Sequence, residues 1–101
     1  MKAIFINPDN RSIERIDIGG REDIASIIGF DTIESDEVGK EGDLLFFDEE
    51  CFLRGSGARF QLDSIVPVSG KALIVGTADG GNALRDAETD MDSLRSRIKY
   101  L

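Results

Sequence analysis

The first eighteen residues contain two short apolar segments separated by a strong turn signal. The segments are KAIFI at residues 2–6 and SIERIDI at residues 12–18, and the second alternates between apolar and polar positions. The sequence Asn-Pro-Asp-Asn between them, at residues 7–10, is typical of a turn. Alternation with a period of two is typical of a strand with one buried face, so these segments predict a β-hairpin.

The apolar residues that follow have helical spacing. Ile24, Ile27 and Ile28 lie at positions i, i+3 and i+4, on one face of a short helix over residues 21–28. Two acidic residues in its first turn favour this helix through its dipole, and Gly29 suits the left-handed position that ends it. We expect the helix to cover part of a sheet.

A second helix is predicted near the end of the sequence, at about residues 90–99. Met91, Leu94 and Ile98 have the i, i+3, i+7 spacing of an apolar helix face. Thr89, followed by Asp92 three residues later, resembles a capping box that would start such a helix. Residues 77–86, just before it, are largely polar and contain glycine, which predicts a mobile connection.

The middle of the sequence predicts several short strands joined by turns. The run LLFF at residues 44–47 is typical of a strand buried on both faces. Other predicted strands occupy residues 30–38, 59–62, 65–68 and 71–77. Because hairpin-length connections dominate, the sequence predicts an α+β fold in one domain over residues 1–101, with a mainly antiparallel sheet of short strands and two short helices, at about 21–28 and 90–99.

Length and composition set limits on where this domain works. The chain has 101 residues, of which 41% are hydrophobic and 32% are charged, a balance typical of one globular domain. No uninterrupted apolar run exceeds four residues, whereas a membrane span needs about 20. We therefore expect a cytoplasmic protein without a membrane segment or a signal peptide.

Several residue types on which enzymes depend are absent or rare. The sequence has no histidine, which excludes a Ser-His-Asp triad, a Cys-His dyad and an imidazole general base. A single cysteine, Cys51, excludes a cysteine-rich metal site, and its acidic neighbour Glu50 disfavours a reactive thiolate. We expect no enzyme activity, no cofactor and no metal, and we expect Cys51 to be a structural residue of the core or of a strand edge.

The negative charge is concentrated in one part of the sequence. The net charge is −8, and residues 31–50 alone contain nine acidic residues and one lysine, so the rest of the chain is neutral in sum. Such a region repels phosphate groups and attracts basic proteins in a salt-dependent manner. We therefore expect a basic protein partner and no direct binding of nucleic acid, with solubility as the alternative explanation of the acidic residues.

Four acidic side chains form the first candidate site, for a partner: Glu34, Asp36, Asp48 and Glu50. Alternate residues of an extended strand point to the same side, about 6.6 Å apart, which relates the first two residues and also the last two. If residues 31–38 and 43–50 pair across the intervening turn, two acidic rows lie side by side. Facing like charges reduce stability, and a basic partner would relieve that cost. The register that decides this cannot be derived from the sequence.

The loop Arg-Gly-Ser-Gly-Ala-Arg at residues 54–59 is the second candidate site. Backbone N–H groups of a glycine loop between two guanidinium groups suit a phosphate or another anion. The loop lacks the spacing of the phosphate-loop motif and precedes a strand, so an ordinary hairpin loop is the competing interpretation. The candidate anion-binding residues are Arg54, Gly55, Gly57 and Arg59.

Three segments carry a resemblance to a known family: IIGF at residues 27–30, LLFFDEECFL at 44–53 and IVPVSGKALIVGT at 65–77. In these segments the sequence resembles a family of small, uncharacterised phage and bacterial proteins, domain of unknown function 3846. The resemblance implies carriage on viral or mobile genomes. It implies no established activity and no catalytic residues.

These observations leave hypotheses of different classes open. The first is a non-enzymatic interaction protein that presents residues 31–50 to a basic partner, for example a nucleic-acid-binding protein blocked by a DNA-like surface. The second is a module that binds a small anion or a nucleotide at residues 54–59. Self-association through an open sheet edge, which would give a homo-oligomer, is a further alternative.

Overall fold

The computed structural model describes residues 1–54 and 57–101 and confirms the α+β class. Its larger sheet contains β1 (Lys2–Asn7), β2 (Ser12–Asp17), β3 (Ile33–Val38), β4 (Asp43–Asp48), β7 (Ala72–Ala78) and β8 (Ala83–Arg85). Its smaller sheet contains β5 (Arg59–Leu62), β6 (Val68–Ser69) and β9 (Ile98–Tyr100). The helices are α1 (Arg21–Ile28), α2 (Met91–Arg97) and a 3-10 turn at Asp79–Gly81.

Strand β7 lies in the centre of the larger sheet, whose order is β2-β1-β7-β4-β3, with β8 also paired to β7. The predicted hairpin β1–β2 is confirmed, and β3 pairs with β4 across the turn at residues 39–42. All pairings among the described residues are antiparallel. Strand β7 thus lies between the two hairpins, and it contributes apolar residues to a core on each of its faces.

Each face of the larger sheet is covered by a different layer. Leu73 and Val75 of β7 face α1, where they pack in one core with Ile24 and Ile28. Ile74, on the other face, belongs to a second core that includes residues of the smaller sheet and of α2. The expectation that residues 44–47 are buried from both sides is confirmed, since this strand contributes to both cores.

Helix α1 confirms the prediction for residues 21–28. It ends at Gly29, whose φ of 93° is left-handed and whose N–H donates a hydrogen bond of 2.8 Å to the carbonyl of Ala25. Glycine adopts this conformation without the steric cost that a Cβ would add.

The predicted C-terminal helix is too long. Residues 98–100 form β9 instead, because Ile98 and Tyr100 pair with Leu62 and Phe60 of β5 and become half-buried there. The predicted capping box is also wrong, since Asp90 is the N-terminal cap and accepts a hydrogen bond of 2.9 Å from the N–H of Ser93. Pairing with a distant strand overrides the local i, i+3, i+7 spacing.

The predicted connection at residues 77–86 is part of the sheet. Strand β7 extends to Ala78, the 3-10 turn follows, and β8 then pairs back onto β7. The predicted strand at residues 65–68 is shorter than expected, because only Val68–Ser69 pairs with β5. None of the helices in the described part of the chain has the length and apolar character needed to cross a membrane.

The close packing of β7 against the segment after β8 predicts a large effect of a single methyl group. A Cβ at Gly76 would lie 2.2 Å from the carbonyl oxygen of Asp86. We expect Gly76→Ala to lower the free energy of unfolding by about 2 to 3 kcal/mol, as overpacking does, measured by urea denaturation.

The matched control is Gly20→Ala. Gly20 has an extended φ of 174°, and its added methyl group would meet only the flexible carboxylate of Glu22. We expect this variant to lose about 1 kcal/mol or less. Equal losses in the two variants would contradict the assignment of a tight contact to Gly76.

Candidate functional site

Strand β3 is an edge strand of the larger sheet and exposes four consecutive polar residues. We call these residues the acidic edge: Glu34, Ser35, Asp36 and Glu37. Within the described residues, β4 is the only strand that pairs with β3. The outer side of β3 is therefore accessible to another molecule.

The register of β3 against β4 places acidic side chains opposite apolar ones. Glu34 pairs with Phe47 and Asp36 pairs with Leu45, both of which are buried beneath the smaller sheet. Directly paired residues share a face, so Glu34 and Asp36 lie at the rim of that core. The expectation of two facing acidic rows is therefore wrong. On this face, the positions of β4 opposite the acidic residues of β3 are occupied by apolar side chains that fill the core.

Asp48 and Glu50 lie in a different environment from the acidic edge. The side chain of Asp48 is only 4% exposed and accepts hydrogen bonds from Nε of Arg54 at 2.6 Å, from the hydroxyl of Thr32 and from the N–H of Glu50 at 3.1 Å. The carboxylate of Glu50 lies 3.8 Å from Nη2 of Arg54. These two predicted partner-binding residues belong to an ion-pair cluster within the protein.

The surroundings of Asp48 keep it ionised. Burial alone would raise its pKa, but the hydrogen bonds from Arg54, Thr32 and the backbone of Glu50 outweigh burial and lower the pKa below its ordinary value. The pKa of Asp63 is also lowered, because hydrogen bonds from Arg97 lower it more than burial raises it.

The backbone of the acidic edge alternates between bonding β4 and pointing outward. The N–H of Glu49 donates to the carbonyl of Thr32 at 2.7 Å, so Thr32 bonds towards β4. In an antiparallel ladder, alternate residues bond the partner strand. Ile33, Ser35 and Glu37 therefore direct their N–H and C=O groups away from β4.

Local groups already accept two of the outward N–H groups. The N–H of Ile33 donates to the carbonyl of Asp31, and that of Glu37 donates to the carboxylate of Asp36, each at 2.9 Å. Only the N–H of Ser35 is left to point outward, beside three outward carbonyls and the acidic side chains. The edge is thus rich in hydrogen-bond acceptors and poor in donors.

The three carboxylates of the acidic edge form no ion pair with any described residue, and they lie within four consecutive exposed positions. Some carboxylates elsewhere in the fold, such as those of Asp17 and Asp63, are neutralised by a neighbouring cation. The nitrogen–oxygen distances are 2.9 Å for Lys2–Asp17 and 2.6 Å for Arg97–Asp63. Three negative charges that face solvent without an ion pair are therefore concentrated in one short stretch of β3.

A groove of about 310 Å³ with a partly apolar lining runs beside the acidic edge. Besides residues of the edge, it is lined by Phe47, Glu49, Cys51, Phe52, Val66 and Pro67. Phe52 and Val66, on its far side, are 47% and 60% exposed. Exposed apolar side chains that line a groove with a polar rim are typical of binding surfaces.

Of the two arginines in the predicted anion site, Arg54 is already paired with a carboxylate, whereas Arg59 contacts an aromatic ring. Arg54 pairs with Asp48 and lies 3.6 Å above the ring of Phe30, whereas Arg59 lies 5.0 Å above the ring of Phe52. Gly57 is left-handed, with a φ of 100°. Gly55 of the predicted anion site lies outside the described residues. An anion at Arg54 would have to compete with a carboxylate.

Cys51 is buried, as expected for a structural residue, and its sulfur accepts a hydrogen bond of 3.5 Å from the N–H of Ser69. Across residues 1–54 and 57–101, no three or more Asp, Glu, Cys or His side chains are grouped so that they could hold a metal ion.

Comparison of the chain with protein-family models, with curated proteins and with solved structures found no match. The resemblance to domain of unknown function 3846 stays a prediction.

Glu37, Phe52 and Val66 were not among the predicted site residues. Glu37 was missed because strand alternation places it on the opposite face from Glu34, although an edge strand is accessible from both faces. The signal for Phe52 and Val66 is weak: each is an apolar residue beside a turn residue or proline, and only the layered fold brings them to one groove.

The Asp48–Arg54 pair predicts a specific loss of stability in acid. The pKa of Asp48 is lower in the folded protein than in the unfolded chain. Its contribution to the free energy of unfolding is therefore complete above about pH 4 and is lost as the pH falls through the pKa of the folded state. We expect Asp48→Asn to be less stable at neutral pH and to show a flatter decline in the free energy of unfolding below about pH 4.

Urea denaturation at several pH values measures this decline. Arg54→Gln removes the cation from the same pair, so it should flatten the decline similarly, and the double variant should add little. An unchanged slope in Asp48→Asn would show that the pair does not contribute to acid sensitivity.

Proposed function

We propose that this chain is a non-enzymatic interaction protein that binds a basic partner protein along the acidic edge. The observation that carries this proposal is the set of exposed carboxylates on β3 that lack an ion pair within the described structure. A basic partner supplies the missing cations, and the local negative potential speeds its encounter at low salt.

The hydrogen-bonding character of the edge supports the same class of partner. Lysine and arginine side chains are donors without acceptors. The outward carbonyls of Ile33, Ser35 and Glu37 and the neighbouring carboxylates are acceptors only. A segment with several basic side chains therefore satisfies this edge better than a neutral or acidic one.

The adjoining groove contributes apolar contact area. Phe52 and Val66 are partly exposed there, across from Glu34 and Asp36. A basic partner that also carries apolar side chains would bury these surfaces and gain affinity that depends little on salt.

A simpler role for the acidic edge is to keep copies of this protein apart. Charged side chains on edge strands prevent edge-to-edge pairing of sheets. That role alone predicts that neutral variants of β3 self-associate without losing any partner. The experiment below separates the two roles.

The test replaces the three carboxylates of the edge with amides in one variant, Glu34→Gln, Asp36→Asn and Glu37→Gln. Tagged protein is used to capture proteins from a host lysate at low and at moderate salt. We expect the native chain to retain one or more basic proteins and the edge variant to lose them, with retention falling as salt rises. Purified partner and light scattering then measure affinity and self-association directly.

The matched control removes the same amount of charge elsewhere, with Glu14→Gln, Glu22→Gln and Asp79→Asn. These residues are exposed and form no ion pair with other described residues. The control should retain the partner. Capture of the same proteins by the edge variant would contradict the proposal, and self-association without loss of a partner would leave the protective role as the explanation.

A further inference from the structure

The opposite edge of the larger sheet contains a groove of contrasting charge. A cleft of about 380 Å³ lies where the start of β2 meets α2 and β9. We call it the arginine groove, and it is lined by Arg11, Ser12, Ile13, Arg95, Ile98 and Tyr100. In the strand order, β2 and β3 are the two outer strands. The spacing of adjacent strands separates them by about 19 Å, so this groove is independent of the acidic edge.

The lining of the arginine groove combines hydrogen-bond donors with an apolar surface. Its lining residues include two arginines and two residues that carry a hydroxyl group, whereas Ile13 and Ile98 also pack against the core. Arg11 forms no ion pair with any residue that the structure describes, and Arg95 has only an exposed contact of 2.9 Å with Asp92. Exposed pairs of this kind contribute little stability, so Arg95 can exchange its partner easily.

The phenol of Tyr100 is suited to donate a hydrogen bond in this groove. Burial raises its pKa above the ordinary value, and the nearby charge of Arg11 offsets only part of that effect. The hydroxyl therefore stays protonated at neutral pH.

Arg11 is held in a conformation that its residue type disfavours. Its φ is 52°, in the left-handed region, and its N–H closes the turn between β1 and β2 with a bond of 3.2 Å to the carbonyl of Pro8. Glycine or asparagine is the usual residue at such a position. Backbone strain of this kind is typical of functional sites. The strain at Arg11 therefore indicates that its side chain, which lines the cleft, has a function.

We propose that the arginine groove binds a small phosphate monoester that carries an apolar or aromatic group. Arginine presents a planar fork of donors that matches phosphate oxygens, and hydroxyl groups complete the donor set. The isoleucine side chains offer a surface for the carbon part of the ligand. The ligand class differs from that of the acidic edge, which repels anions.

The test uses phenyl phosphate as the probe in an NMR titration of the native protein. We expect saturable shifts of the backbone amides of Ile13, Ile98 and Tyr100. Arg11→Gly is the decisive variant, because it relieves the left-handed strain and so keeps the fold while it removes one guanidinium. We expect it to weaken binding by about tenfold or more, the equivalent of one charged hydrogen bond.

Two further variants make the result specific. Arg95→Gln changes an exposed side chain of the groove and should also weaken binding, whereas Arg15→Gln removes an equal charge from β2 outside the groove and should not. Benzyl alcohol, which has no charge, tests whether the apolar surface alone binds. The proposal is overturned if phenyl phosphate shifts none of the groove amides, if Arg11→Gly binds as tightly as the native chain, if Arg15→Gln loses as much affinity, or if benzyl alcohol gives the same shifts.

Discussion

The buried carboxylate of Asp43 joins the two layers of this protein. It is 2% exposed and accepts hydrogen bonds from the N–H groups of Glu88 and Thr89, at 2.7–3.1 Å, and from the hydroxyl of Thr89. A buried carboxylate is costly unless such donors replace water. Because the donors lie just before α2, Asp43 fixes where that helix begins, and the helix in turn places Leu94 in the core.

The packing around Asp43 also explains why the residue paired with it, Gly76, must be glycine. Arg85 approaches Asp43 to 3.8 Å and donates to the carbonyls of Asp86 and Glu41. Gly76, which pairs with both Asp43 and Arg85, leaves the space through which these groups meet. The fit between layers therefore depends on one carboxylate, one guanidinium and the absence of one side chain.

Local patterns were sufficient for the hairpins and α1, because their spacing and turn residues act within a few positions. They were not sufficient for β9, which needs β5 as a partner, or for the site. A count of charged residues along the sequence does not distinguish Asp43 and Asp48 from Glu34 and Asp36. The carboxylates of the first two are buried and accept hydrogen bonds from donors within the protein. For Asp43 those donors lie 45 and 46 residues away. The acidic edge could be located from sequence, but which carboxylates face solvent depends on contacts that only the folded chain supplies.

The central position of β7 also determines the order in which the sheet can assemble during synthesis. Both hairpins precede β7 in the chain, so each can form while the strand that joins them has yet to be made. At ordinary elongation rates, the thirty residues that follow Asp48 up to Ala78 take about 1.5 to 6 seconds. During that interval the apolar edges of β1 and β4 are open. The nascent chain is thus most prone to mispairing just before its central strand emerges.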